Sequence, residues 1–109
     1  MAYDEELGTR IRGLMSDRGD VVEKKMFGGL CFMVSGNMAC GIVKDTLMAR
    51  VGPDLYDECL AKEHAREMDF TGRSLKGMIY VSPEGIESKE QLAEWVGYCL
   101  RFVDTLPAK

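Results

Sequence analysis

The chain has one histidine and three prolines, and no two of its four cysteines form a C-x-x-C pair. His64 has no cysteine beside it. Structural zinc sites need ligand pairs roughly two to four residues apart so that one turn can grip the ion, so a zinc knuckle is excluded and no metal site is expected. Basic charge is not in excess either, with 14 Lys and Arg against 18 Asp and Glu and a net charge of -4. That balance argues against direct DNA binding, whose affinity comes mainly from cations neutralising phosphates. Apolar runs last only a few residues, far short of the roughly 20 that span a bilayer, so no membrane segment is expected. No secretory leader is expected, because Asp4, Glu5 and Glu6 stand where a basic n-region and an apolar run belong. H-E-x-x-H, G-x-S-x-G and EF-hand patterns do not occur.

What is present suits one globular domain over residues 1–109. Apolar residues make up 46% and charged residues 29%, enough to bury a core without staples. Cys31, Cys40, Cys59 and Cys99 therefore read as reduced, mostly buried thiols in a cytoplasmic protein. One alternative concerns the first two. A Ser35-Gly36 hairpin loop pairs Val34 with Asn37 and sets Cys31 opposite Cys40, as a cross-strand disulfide requires, whereas a Gly36-Asn37 loop separates them.

Leu7, Ile11, Leu14 and Met15 fall on one helical stripe, with acidic residues in the first turn and Gly19 as the exit. Between Val21 and Val51 the period changes to four short apolar runs punctuated by Gly28-Gly29, Ser35-Gly36-Asn37 and Lys44-Asp45. Links this short force antiparallel neighbours, so this region is a four-stranded meander. Gly52-Pro53 opens a second helix bearing Leu55 and Cys59. Arg66–Phe70 reads as a weak edge strand and Gly77–Val81 as a better one. A capping box of Ser88 and Gln91 starts the last helix, whose face carries Leu92, Trp95, Val96, Cys99 and Val103. The order α-β-β-β-β-α-(β)-β-α predicts an α+β fold, an antiparallel sheet of about five strands with helices packed on it.

Candidate chemistry is sparse. His64 lies in a polar run and reads as a surface histidine, leaving no base for a cysteine nucleophile. No catalytic residue and no cofactor is assigned. Thr71–Gly77 sets Arg73, Ser74 and Lys76 between glycines, either as a small anion-binding nest or as a loop entering a strand. Charge is unevenly spread, with +2 over residues 21–53 and -4 over 54–70. Lys24, Lys25, Arg50, Arg73 and Lys76 form a basic patch if they converge on one side of the sheet, and otherwise are solvated. The eight methionines fill core gaps or make an adaptable surface. Trp95, Tyr98 and Phe102 widen the apolar arc of the last helix, which makes them candidate contacts for a homodimer or a partner helix.

Two blocks carry a resemblance. Met26-Phe27-Gly28-Gly29-Leu30-Cys31-Phe32-Met33-Val34, with Gly36-Asn37-Met38 and Arg50-Val51 after it, is one. Met68-Asp69-Phe70-Thr71-Gly72-Arg73-Ser74-Leu75-Lys76-Gly77-Met78-Ile79-Tyr80-Val81 is the other. Together they resemble the TfoX N-terminal domain family over nearly the whole chain. The resemblance implies a secretion-chaperone-like α+β fold and a stand-alone N-terminal domain without the family's C-terminal helical domain. Its name-giving members regulate natural competence in bacteria with the cyclic-AMP receptor protein. It supplies no catalytic residues. The expectation is a non-enzymatic interaction domain, a transcriptional co-regulator that binds protein through Phe27, Gly28, Gly29, Arg50, Arg73 and Lys76. The alternative is a chaperone-like homodimer that binds an extended peptide through its sheet or last helix.

Overall fold

Asp4 starts helix α1 (Glu5–Leu14) by accepting hydrogen bonds from the backbone N–H of Glu6 at 3.0 Å and of Leu7 at 3.2 Å. Such a cap is worth about 1 kcal/mol, because the first turn has no internal partner for its donors. Leu7, Ile11 and Met15 are buried, as the stripe requires. The helix ends at Leu14, earlier than expected, and Gly19 is not in a left-handed conformation. Met15 closes the helix instead, its N–H bonded to the carbonyls of Ile11 and Arg12.

The computed structural model describes residues 3–26, 28–70 and 73–107. Strands β1 (Val21–Met26), β2 (Gly29–Val34), β3 (Asn37–Val43) and β4 (Thr46–Arg50) form the expected antiparallel meander. Helix α2 (Tyr56–Leu60) follows, then the hairpin β5 (Ala65–Phe70) and β6 (Arg73–Val81), a 3-10 turn (Pro83–Gly85) and helix α3 (Lys89–Val103). The sheet has six strands rather than about five, in the order β1-β2-β3-β4-β6-β5. β6 returns beside β4 and leaves β5 at the edge. α2 begins at Tyr56, not at Pro53, so the Gly52-Pro53 segment is a turn with Gly52 at φ +86°.

Ser35 and Gly36 form the β2–β3 loop, both with positive φ (50° and 85°), the conformation a two-residue hairpin favours. Val34 pairs with Asn37, as the Ser35-Gly36 alternative requires, but the register then shifts at a bulge, so that Phe32 pairs with Cys40 and Cys31 with Gly41. Ladder partners share a face of the sheet. Cys40 therefore joins the main core beside Phe32, and Cys31 turns to the other side. All four cysteines are free and buried.

The helices lie on one face. Phe32, Ile42, Leu47 and Ile79 from the sheet meet Ile11, Leu92, Val96 and Cys99 from α1 and α3 in one core. The Ser88–Gln91 capping box forms as read, with reciprocal bonds of 3.0 and 2.9 Å. Arg10 of α1 ties this junction down by donating to the carbonyls of Ile86 at 2.8 Å and Glu87 at 3.1 Å. No helix among the described residues is long and apolar enough to cross a membrane.

Candidate functional site

The two glycines of the Met-Phe-Gly-Gly block have structural roles. Gly28 sits at φ +72°, where a side chain is strained. A Cβ on Gly29 would lie 1.9 Å from the Ile42 carbonyl oxygen, so β2 and β3 approach here only because that atom is absent. Phe27 lies outside the described residues. Arg73 and Lys76 belong to β6, and their side chains are likewise outside what is described. Thr71 and Gly72 are outside it too, while Arg73 to Gly77 is strand, whose successive N–H groups alternate in direction rather than converge on an anion.

The basic patch does not assemble as drawn. Lys24 pairs with Cys31 and Lys25 with Leu30, which places them on opposite faces of the sheet. Arg50 is engaged within the chain, donating to the Met38 carbonyl at 3.1 Å and lying over the Phe102 ring. The proposed partner face of the last helix is also largely used internally. Trp95 is 3% exposed and belongs to the core. Tyr98 is half-buried, edge-on to Trp95 and under the Lys62 ammonium, and Phe102 packs on Gly52.

The surface that remains is the sheet face away from the helices; the sequence pointed to a sheet surface but not to the residues that share this face. Consecutive pairings place Lys24, Cys31, Gly41, Met48, Tyr80 and Arg66 in one row across all six strands. A neighbouring row carries Val22, Met33 and Met38, and Met78 pairs with Arg50 farther along. Met33, Met38, Met48 and Met78, half of the methionines in the chain, thus share this face with Cys31, Val43 and Tyr80. Val22 is 56% exposed.

Gly41 explains how Cys31 and Met48 are fully buried with no helix above them. A Cβ there would lie 2.7 Å from Met48 Cε and 3.2 Å from Cys31 Sγ, so both side chains close over the bare backbone. The half-buried Met33, Met38, Met78 and Tyr80 stand around this floor. The row ends in a cation on each edge strand, Lys24 on β1 and Arg66 on β5. Arg66 lies over the Tyr80 ring at 5.2 Å and donates to Ser82 Oγ. Among the described residues neither cation has a carboxylate partner within salt-bridge distance.

The chain's reactive groups are muted. Burial pushes every thiol up, Cys99 to about 12 and Cys40 well above the ordinary range. The uncharged thiol is a poor nucleophile and a poor metal ligand. His64 sits in a left-handed turn at φ +70° before β5, its Nε2 3.8 Å from a Glu63 carboxylate oxygen. Among the described residues no group of three His, Cys, Asp or Glu side chains is placed to hold a metal ion.

Compared with known families, residues 13–103 match the family model described as the TfoX N-terminal domain. No curated protein and no solved structure matches the chain.

Proposed function

This chain belongs to the TfoX N-terminal domain family, and we propose that it is a non-enzymatic regulatory domain that works by binding another protein on the helix-free face of its sheet. The observation that carries this reading is the methionine-lined face between Lys24 and Arg66. Methionine is flexible and polarizable, so a surface rich in it adapts to a partner's shape. Buried thiols held in their neutral form, and a lone histidine near one carboxylate, support binding rather than catalysis and suit the reducing cytoplasm. Within its family the natural role for such a domain is transcriptional co-regulation through protein contacts.

The rival reading is a chaperone-like homodimer that binds an extended peptide through its sheet or last helix, and its helix contact has less support. Trp95 is committed to the core, and Tyr98 and Phe102 have partners within the chain. Affinity capture from lysate tests the proposal. A defined polypeptide should be retained by the wild-type chain and lost with Met33→Glu plus Met78→Glu, while the thermal midpoint stays within a few degrees. Undiminished capture by that folded variant removes this face from the function.

A further inference from the structure

We infer that the occupant of this face is an amphipathic helix of another protein, apolar along the stripe it lays on the methionines and acidic on the two flanks that meet Lys24 and Arg66. This inference rests on the protein-binding reading above and specifies the partner.

Three observations carry it. First, an antiparallel sheet with one wet face alternates apolar and polar residues, whereas strands buried on both faces read as unbroken apolar runs. Leu30-Cys31-Phe32-Met33-Val34 and Met78-Ile79-Tyr80-Val81 carry no charge and scarcely alternate, although helices cover one face only. These strands have the composition of a sheet with a second layer.

Second, the charges choose the layer. On the row Lys24-Cys31-Gly41-Met48-Tyr80-Arg66 both ends are cationic and no position is acidic. A second copy stacked face to face along this row would set cation on cation at both edges, which disfavours self-association there. A partner with carboxylates at the same two margins is attracted at both.

Third, the width fits. Five strand spacings of about 4.8 Å put Lys24 and Arg66 about 24 Å apart at the backbone. A helix about 10–12 Å across, lying along the strands midway between Gly41 and Met48, leaves roughly 6 Å on each side. An extended Lys24 and a flanking Glu side chain bridge such a gap, and Arg66, folded over the Tyr80 ring of the next strand, holds its guanidinium already inside its margin. The fully buried Cys31 and Met48 form the floor under the helix, and the half-buried Met33, Met38 and Met78 grip its apolar stripe.

The experiment is selection from a display library of 18-residue peptides on a helix-forming background, with the full chain as bait. Retained peptides should carry apolar residues at i, i+4 and i+7 and Asp or Glu on both flanks, and a synthetic one should gain helicity on saturable binding. Lys24→Glu plus Arg66→Glu should weaken that peptide at least about tenfold, and a Lys-flanked version should recover binding to the variant. Selection of basic, uncharged or extended sequences overturns the inference, as does stronger binding of duplex DNA at matched salt. A dimer that buries Val22 overturns it as well. If lysate capture depends on Met33 and Met78 but the library yields no acidic helix, the partner chemistry fails and the protein-binding reading stands. If capture ignores Met33 and Met78, both fail.

Discussion

The Arg50 guanidinium lies over the Phe102 ring, 5.3 Å from its centroid, and joins the end of β4 to the last turn of α3. The ring also packs against Gly52, where a Cβ would lie 2.3 Å from the ring edge. Two residues that the sequence assigned to separate contact surfaces are thus partners within one fold. Phe102→Ala should destabilise the chain by about 2–3 kcal/mol, somewhat below the cost for a fully buried phenylalanine. A double-mutant cycle with Arg50→Ala in urea should give a coupling of about 1 kcal/mol. Strict additivity would show that the stacked geometry contributes nothing.

Glycines in the sheet and the last helix should respond in opposite directions. Gly29→Ala forces β3 away from β2 and should cost about 2–3 kcal/mol, the upper part of the overpacking range. Gly97 lies inside α3 with nothing within 4 Å of its would-be Cβ. Gly97→Ala should stabilise by about 1 kcal/mol through helix propensity. Urea midpoints for both variants test this, and equal shifts of the same sign would contradict it.

Thiol chemistry offers a third test. All four cysteines are buried with their thiols raised, Cys99 to about 12. At pH 8 the native chain should react with a disulfide reagent such as DTNB far more slowly than free cysteine, and should release four equivalents once denatured. A fast stoichiometric thiol in the native state would instead indicate an open path to Cys31 through the sheet face.

Acid stability should depend on the Arg18 cluster. Arg18 bonds the carboxylates of Asp20 and Asp104, the latter at 2.7 Å, and Ser35 Oγ donates to Asp20. These bonds, Arg18 first and Ser35 second, hold the Asp20 carboxyl below its ordinary value. A group depressed in the folded state contributes fully above the unfolded value near pH 4, and its contribution disappears as pH falls through the folded value. Asp20→Asn should therefore lower the thermal midpoint at pH 7 and flatten its fall between about pH 4.5 and 2.5. A variant profile parallel to wild type would discount the cluster.

Much of this architecture was legible because it is local. Ser88 and Gln91 announce their capping box by spacing, and Leu92, Trp95, Val96, Cys99 and Val103 announce a buried face by period. Ser35-Gly36-Asn37 marks a tight turn because Gly accepts positive φ without cost, but it left open which two residues form the loop. The Cys31 register was not legible. A bulge is one extra residue in one strand, and nothing in Met38-Ala39-Cys40 marks where the ladder slips. That slip sends Cys31 and Cys40 to opposite faces.

Charge shows the same division. The sequence alone determined an acidic chain of -4 with a locally basic strand region, together with helices, strands and the order of elements, because these follow from neighbours a few residues apart. Only the tertiary structure decided which charges act together. Strand alternation separates Lys24 from Lys25, whereas pairing across six strands brings Lys24 and Arg66 to the two ends of one row. It also decided that four scattered methionines form one surface, because a sheet's face is assembled from residues distant in sequence that share one pleat.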